Sequence, residues 1–252
     1  SEILLARRAR DEHELVAVYA ALIAHGTEID AKSVAAMTPQ LDPDQVSAAM
    51  RALEATGRLR RANARVVEFQ MQHAIAAHWG SGTTASSDMM SLDASRHLWT
   101  ARVDPRRRTH AAGVYTHVLD RHGIIYDQPI VLNERQAGPA IEGVVRYNSA
   151  NVRERLSLLA VDTHGYTNPG MALAKLLGFD LCPRLRDLVE RKLFLPRRME
   201  VPEGLEQASV RDVSLKAIRS SWDELLRVAA SIRAGRISAN VALQRLGSAA
   251  QG

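Results

Sequence analysis

The sequence predicts an α/β domain, a mixed sheet flanked by helices, with a helical subdomain before it and a further helical segment after it. Three observations predict this. Apolar residues recur at helical spacing through the first eighty residues, short β-branched runs alternate with helical ones from about 80 to 200, and helical spacing returns after Pro202.

The elements follow in chain order. In HELVAVYAALIAHG, Leu15, Val18, Leu22 and Ile23 share one helical face, and Gly26 is placed as the C-terminal cap. A second helix starts after Asp42 and Pro43 and runs through Val46, Met50 and Leu53 to Gly57. A third spans roughly 63 to 78, which closes a helical subdomain over 1–78. Such helix pairs also read DNA in other proteins, but no base-reading residues declare themselves here. The segment HWGSGTTASSDMM reads as a loop ending at Asp88, where a strand begins. GVYTHVLD and GIIYDQPIVL form a hairpin around Arg121-His122-Gly123. ERQAGPAIEGVVRYN reads as a helix, LSLLAVDTHG as a buried strand with a polar end, NPGMALAKLLG as a helix and FDLCP as a short strand. Alternation of this kind gives at least one parallel pair, with function gathered at the strands' carboxyl ends. The sheet-bearing domain is thus expected over 79–200. The last segment, 201–252, is read as a long helix from Val210 to Arg233 and a short one capped by Gly247.

Composition narrows the function. With 252 residues and 46% hydrophobic content the chain can bury a core, and it has no apolar run of the ~18–20 residues a membrane span requires. The start, SEILLARRARDEHE, is too charged for a signal peptide, so a cytoplasmic location is expected, with no membrane partner. A lone cysteine, Cys182, excludes an internal disulfide and reads as a buried strand residue. Aromatics are 4%, too few for base stacking to dominate binding. Basic residues outnumber acidic ones, 33 to 28, mostly as arginine clusters that suit phosphate: Arg106-Arg107-Arg108, Arg184 with Arg186, and Arg197-Arg198.

Two aspartates carry the chemistry. Four apolar residues, Leu158 to Val161, bring a strand out of the core and deliver Asp162 at its end. A carboxylate there needs a metal, a cation or a set of donors, or else it braces the turn through Thr163 and His164. Asp88 follows a Gly-, Ser- and Thr-rich run that resembles a phosphate cradle but lacks the Gly-Lys-Ser/Thr ending of a nucleotide-binding loop. If the two strands are neighbours, their backbones lie about 4.8 Å apart and both carboxylates can grip one magnesium ion. A third acid would complete a two-metal site for attack on a phosphodiester.

HWGSGTTASSD, AVDTHGYTN and LLGFDLCPRLRDL, in this order, resemble the DDE transposases of the Tn-three family of replicative bacterial transposons, over roughly residues 70 to 245. The resemblance implies a ribonuclease H-like fold, with Asp88 as the first catalytic acid and Asp162 as the second. It also implies two Mg2+ ions in the complete site, with Mn2+ as a substitute, nicking at transposon ends and joining of the freed 3′ hydroxyls to target DNA. The expected partner is double-stranded DNA in the bacterial nucleoid, and pairing of two copies on DNA is one assembly the resemblance allows. Contacts to DNA are assigned to Thr84, Ser87, Arg106, Arg107, Arg108, His164, Arg184 and Arg186; for Arg106 to Arg108 a solvated turn is the alternative. Two departures stand out: Met89-Met90 replaces a Gly-Gln pair of many relatives, and the family's third acid, a glutamate beyond the helical insertion, is not matched by Glu200, Glu203, Glu206 or Glu224. The chain alone is therefore expected to be inactive. Two other classes remain open, a non-enzymatic DNA-binding module and a hydrolase with zinc on Asp162 and His164.

Overall fold

A computed structural model describes residues 2–249, leaving out 28, 56, 153, 166, 188 and 189. Two compact units form, Ser1–Ala74 and Ile75–Gly252.

The first unit is helical: α1 (Glu2–Leu5), α2 (Glu12–Gly26), α3 (Ala31–Ala36), α4 (Pro43–Glu54) and α5 (Arg58–Met71). Short acidic caps set the starts. Asp11 accepts from the Glu14 amide and Asp30 from that of Ser33, while Asp42 and Gln45 cap each other's backbones reciprocally. Val18, Val34, Val46 and Leu53 fill the interior. Two expectations shift. Gly26 is the last helical residue and Thr27, extended, ends α2, whereas the left-handed glycine is Gly57 at the start of α5. The third helix begins at Arg58, and a separate short 3-10 turn covers Ala74–His78.

The second unit is built on a sheet. Its elements are β1 (Thr84–Asp93), β2 (Arg102–Val103), β3 (His110–Leu119), β4 (Ile124–Ile130), α6 (Ala137–Ala150), β5 (Leu158–Val161), α7 (Asn168–Leu177), β6 (Asp180–Pro183), β7 (Lys192–Pro196), β8 (Ser209–Val213), α8 (Leu215–Ser220), α9 (Trp222–Arg233) and α10 (Ala239–Ala249). The main sheet runs β4-β3-β1-β5-β6, with β2 also on β3. The pairs β4-β3 and β3-β1 are antiparallel, and β1-β5 and β5-β6 are parallel, so a three-stranded meander leads into two crossovers carrying α6 and α7. That is the mixed sheet flanked by helices that the sequence predicts.

Alternation sorts the two faces. Ala85, Ser87, Tyr115, His117, Leu159, Val161 and Leu181 point into the core, while Ser86, Asp88, Met90 and Cys182 lie on the open face. Cys182 is thus exposed, not buried, because it sits one residue out of phase with Leu181. The strand bearing Asp88 starts at Thr84, so Asp88 lies mid-strand and not at its beginning. The stretch expected as one helix from Val210 is divided. Val210 and Val213 belong to β8, which pairs in parallel with β7, and α8 breaks from α9 at Ser221. Gly247 lies within α10 rather than capping it.

Polar contacts hold the helices to the sheet and to one another. His117 is fully buried, and its Nε2–H donates to the Ala140 carbonyl at 2.9 Å; burial pushes its pKa down, so the ring stays neutral. Asn148 donates to the Leu156 carbonyl at 3.0 Å and accepts from its amide at 2.8 Å, clasping the entry to β5. Glu142 on α6 accepts from Arg146 Nε at 2.9 Å and, with its other oxygen, from the amide of Ala239 at 2.7 Å, which caps α10 from a neighbouring helix. Replacing Glu142 by Ala leaves that buried amide without an acceptor and is expected to cost about 1–3 kcal/mol. Hydrogen exchange should show the loss concentrated in residues 239–249, and uniform protection across α10 would contradict the capping role.

Candidate metal and nucleic-acid site

Parallel pairing sets the register that matters. Ser87 on β1 stands beside Val161 on β5, and β5 ends there. Asp88 is the next residue on β1, on the side opposite Ser87, and Asp162 is the first residue after β5. An apolar strand thus ends in a carboxylate beside the middle of a longer strand that carries another.

The chain turns sharply after Asp162. Its Oδ1 accepts from the amides of His164 at 3.0 Å and Gly165 at 3.1 Å, and its Oδ2 lies 2.9 Å from His164 Nδ1. Thr163 donates to the Arg184 carbonyl at 3.0 Å, and the Arg184 amide donates to Val161 at 2.8 Å, which ties this turn to the end of β6. The turn-bracing role weighed for Asp162 is therefore present. A carboxylate has about four acceptor positions, so three N–H contacts leave room for one more ligand bond. Among the described residues Asp88 accepts only from the Met89 amide, at 2.7 Å, and both side chains reach solvent.

Beneath them, on the core face, Ser87 Oγ donates to the Tyr115 hydroxyl at 3.1 Å. Burial, reinforced by the charges of Asp162 and Asp88, pushes the Tyr115 phenol up. The sequence reading does not single out Tyr115, and it names Thr163 only as part of the turn after Asp162. The signal for Tyr115 was the alternation in GVYTHV, which puts Tyr115 and His117 on one face.

The other expected site residues divide. His164 and Arg184 sit with the aspartates and are exposed, and Arg186, exposed two residues on, pairs with Asp187 at 3.4 Å. Ser87 does not face a ligand: it is 5% exposed and spends its proton on Tyr115. Thr84 begins β1, four residues from Asp88, about 13 Å at the usual strand rise. The loop before it is no phosphate cradle. Both oxygens of Asp120 occupy the Gly82 amide, at 3.1 and 3.2 Å, and Arg121 binds the carbonyls of Gly80 and Ser81, so a negative charge already sits where a phosphate would go. Arg107 is a brace, bound to Asp93, Asp104 and Ser91, which leaves Arg106 and Arg108 as the outward charges of that turn. Asp162 and His164 form a hydrogen-bonded pair. Among the described residues no group of three His, Cys, Asp or Glu is placed to hold a metal, which removes support for the zinc reading.

Carboxylate oxygens are hard donors of the kind that suit magnesium or manganese. Among the described residues no helix is long and apolar enough to cross a membrane.

A family model described as Tn3 transposase DDE domain matches residues 2–252. The transposase for insertion sequence element IS1071 in transposon Tn5271, from Comamonas testosteroni, is 49% identical over 252 residues, all of this chain and 26% of the relative. The transposase for transposon Tn501 from Pseudomonas aeruginosa is 35% identical over 187 residues, 73% of this chain and 19% of the relative. The chain thus spans about a quarter or less of the length of these curated relatives. Among solved structures, a piggyBac transposase synaptic complex with hairpin DNA shows 12% identity and a TM-score of 0.38, covering 70% of this chain and 42% of that one.

Proposed function

We propose, from the premise that this chain belongs to the Tn3 transposase DDE domain family, that it is the part of a DNA transposase carrying the first two metal-binding carboxylates, Asp88 and Asp162. The observation that supports this reading is the register of β1 and β5: Ser87 pairs with Val161, and Asp88 and Asp162 are the residues that follow them. The substrate is double-stranded DNA, cut at transposon ends and joined to target DNA through the freed 3′ hydroxyls.

Each residue has a task in that reaction. Asp88 and Asp162 would hold the divalent ion, and the turn donors on Asp162 fix the direction of its carboxylate. When bound, the ion neutralises charge at the reacting phosphate and activates the attacking oxygen. Arg184 and His164 stand beside the pair, where a DNA phosphate would pass, and Thr163 keeps Arg184 in place through its carbonyl. Tyr115, protonated in its buried setting, adds no competing charge beneath the carboxylates. With two carboxylates only, this chain alone binds an ion weakly and does not turn over.

Paramagnetic broadening by Mn2+ tests the reading directly. Signals of residues 86–90 and 160–165 should broaden first, at millimolar rather than micromolar metal, and Asp88→Asn or Asp162→Asn should each remove the effect. Broadening centred elsewhere, or tight binding that survives both substitutions, would sink it.

A further inference from the structure

The connection between β1 and β3, residues 94–109, concentrates the charge of the chain. It holds Arg96, Arg102, Arg106, Arg107 and Arg108 against one acid, Asp104, a net of +4 where the whole chain carries +5. It also holds Trp99, at 76% the most exposed large apolar side chain among the described residues.

This connection is a folded turn. Asp104 accepts from the amides of Arg106 and Arg107 and from Ser91 Oγ, and its carboxyl is held down at about 2, first by the Arg106 amide, so it stays charged. Arg107 ties the turn back to β1 through Asp93 and Ser91. Arg102 donates to the carbonyls of Trp99 and Ala101, at 2.9 and 2.7 Å, which fixes the backbone under the indole. The ordering is thus done before any partner arrives, while Arg106, Arg108 and the Trp99 ring remain exposed.

We propose that this turn grips DNA beside the carboxylate pair, with Arg106 and Arg108 on backbone phosphates and Trp99 stacked on an unpaired or displaced base. The inference rests on the transposase reading of the chain. Arginines on a fixed turn meet a polyanion in the geometry that suits their fork. An indole left in water on the same connection gains little unless it stacks, and every base offers a flat face to it. Asp93, where β1 meets this turn, lies five residues beyond Asp88, about 17 Å at the strand rise, which matches about five nucleotides at 3.4 Å each. The contact therefore falls roughly half a helical turn from the aspartates, on the flank toward which β1 runs.

Fluorescence anisotropy of the 252-residue chain tests this, using a blunt duplex and the same duplex with a single-stranded tail, each over a salt series. Substituting Arg106 and Arg108 together by Ala should weaken binding to both DNAs and lower the slope of log K against log salt by about two, with Lys at both positions restoring the slope. Trp99→Ala should leave the slope unchanged, weaken binding to the tailed DNA roughly tenfold and barely affect the blunt duplex. If the unmodified chain binds DNA and these variants bind equally well, the proposal is overturned, as it is if the turn binds anionic vesicles and no DNA. The Mn2+ response at Asp88 and Asp162 separates the two claims: intact there with no effect at the turn, only this proposal fails, whereas a lost response with the turn's effects intact fails the site reading.

Discussion

In a full-length transposase containing this chain, Asp162→Asn is expected to reduce strand joining by about a thousand-fold or more, a barrier increase of roughly 4 kcal/mol, while the fold survives. The amide isolates one function of the side chain. Its oxygen can still accept from the amides of His164 and Gly165, so the turn after β5 keeps its brace, but it brings no negative charge to a divalent ion. Asp88→Asn should do the same from the neighbouring strand, and the double variant should be no worse than either single one, since both act through one ion. Single-turnover joining with pre-cut ends, alongside thermal unfolding, is the measurement. Activity within tenfold of the unmodified protein at unchanged stability would remove the aspartates from the chemistry.

Gly143→Ala should destabilise the sheet-bearing unit by about 1–3 kcal/mol, even though alanine is the better helix former by about 1 kcal/mol. A β-carbon there would run into the His117 ring, overlapping its Nδ1, which it would approach to 2.7 Å, and other ring atoms more closely. The ring has nowhere to go, since it is fully buried and its Nε2–H is spent on Ala140. Thermal unfolding should show a fall of several degrees. Combining the change with His117→Ala should recover part of the loss, because the two residues touch. Gly26→Ala is the control: nothing lies within 4 Å of that position and its backbone is not left-handed, so the melting point should hold or rise. A stable Gly143→Ala protein would mean that α6 can slide off β3.

How much of this was legible in the sequence depended on what marks an element. The hairpin, α6, β5, α7 and β6 were readable because apolar runs end at Gly, Pro or Asn, and the same run that exposes β5 exposes Asp162. The start of β1 was not readable, since Thr84, Ser86 and Ser87 are the residues of a loop until a neighbouring strand supplies their partners. Valines at 210 and 213 lie three apart, which fits a helix turn, yet pairing with β7 makes them a strand, a tertiary effect that local spacing does not carry. The aspartates could be named as a pair, but their register could not. Direction was lost too. Three consecutive arginines look alike on the page, and only packing distinguishes Arg107, turned inward to Asp104, from its neighbours.

Cys182 gives the molecule a built-in reporter position. It is the sole thiol in the chain, it is exposed, and it lies on β6 level with Ala160 and Ser86, two strands across from β1. Two strand spacings set the order of 10 Å between a label there and the backbone of Asp88. A nitroxide or fluorophore can therefore be attached to the native sequence with no cysteine removed, close enough to sense both an arriving ion and an arriving strand of DNA.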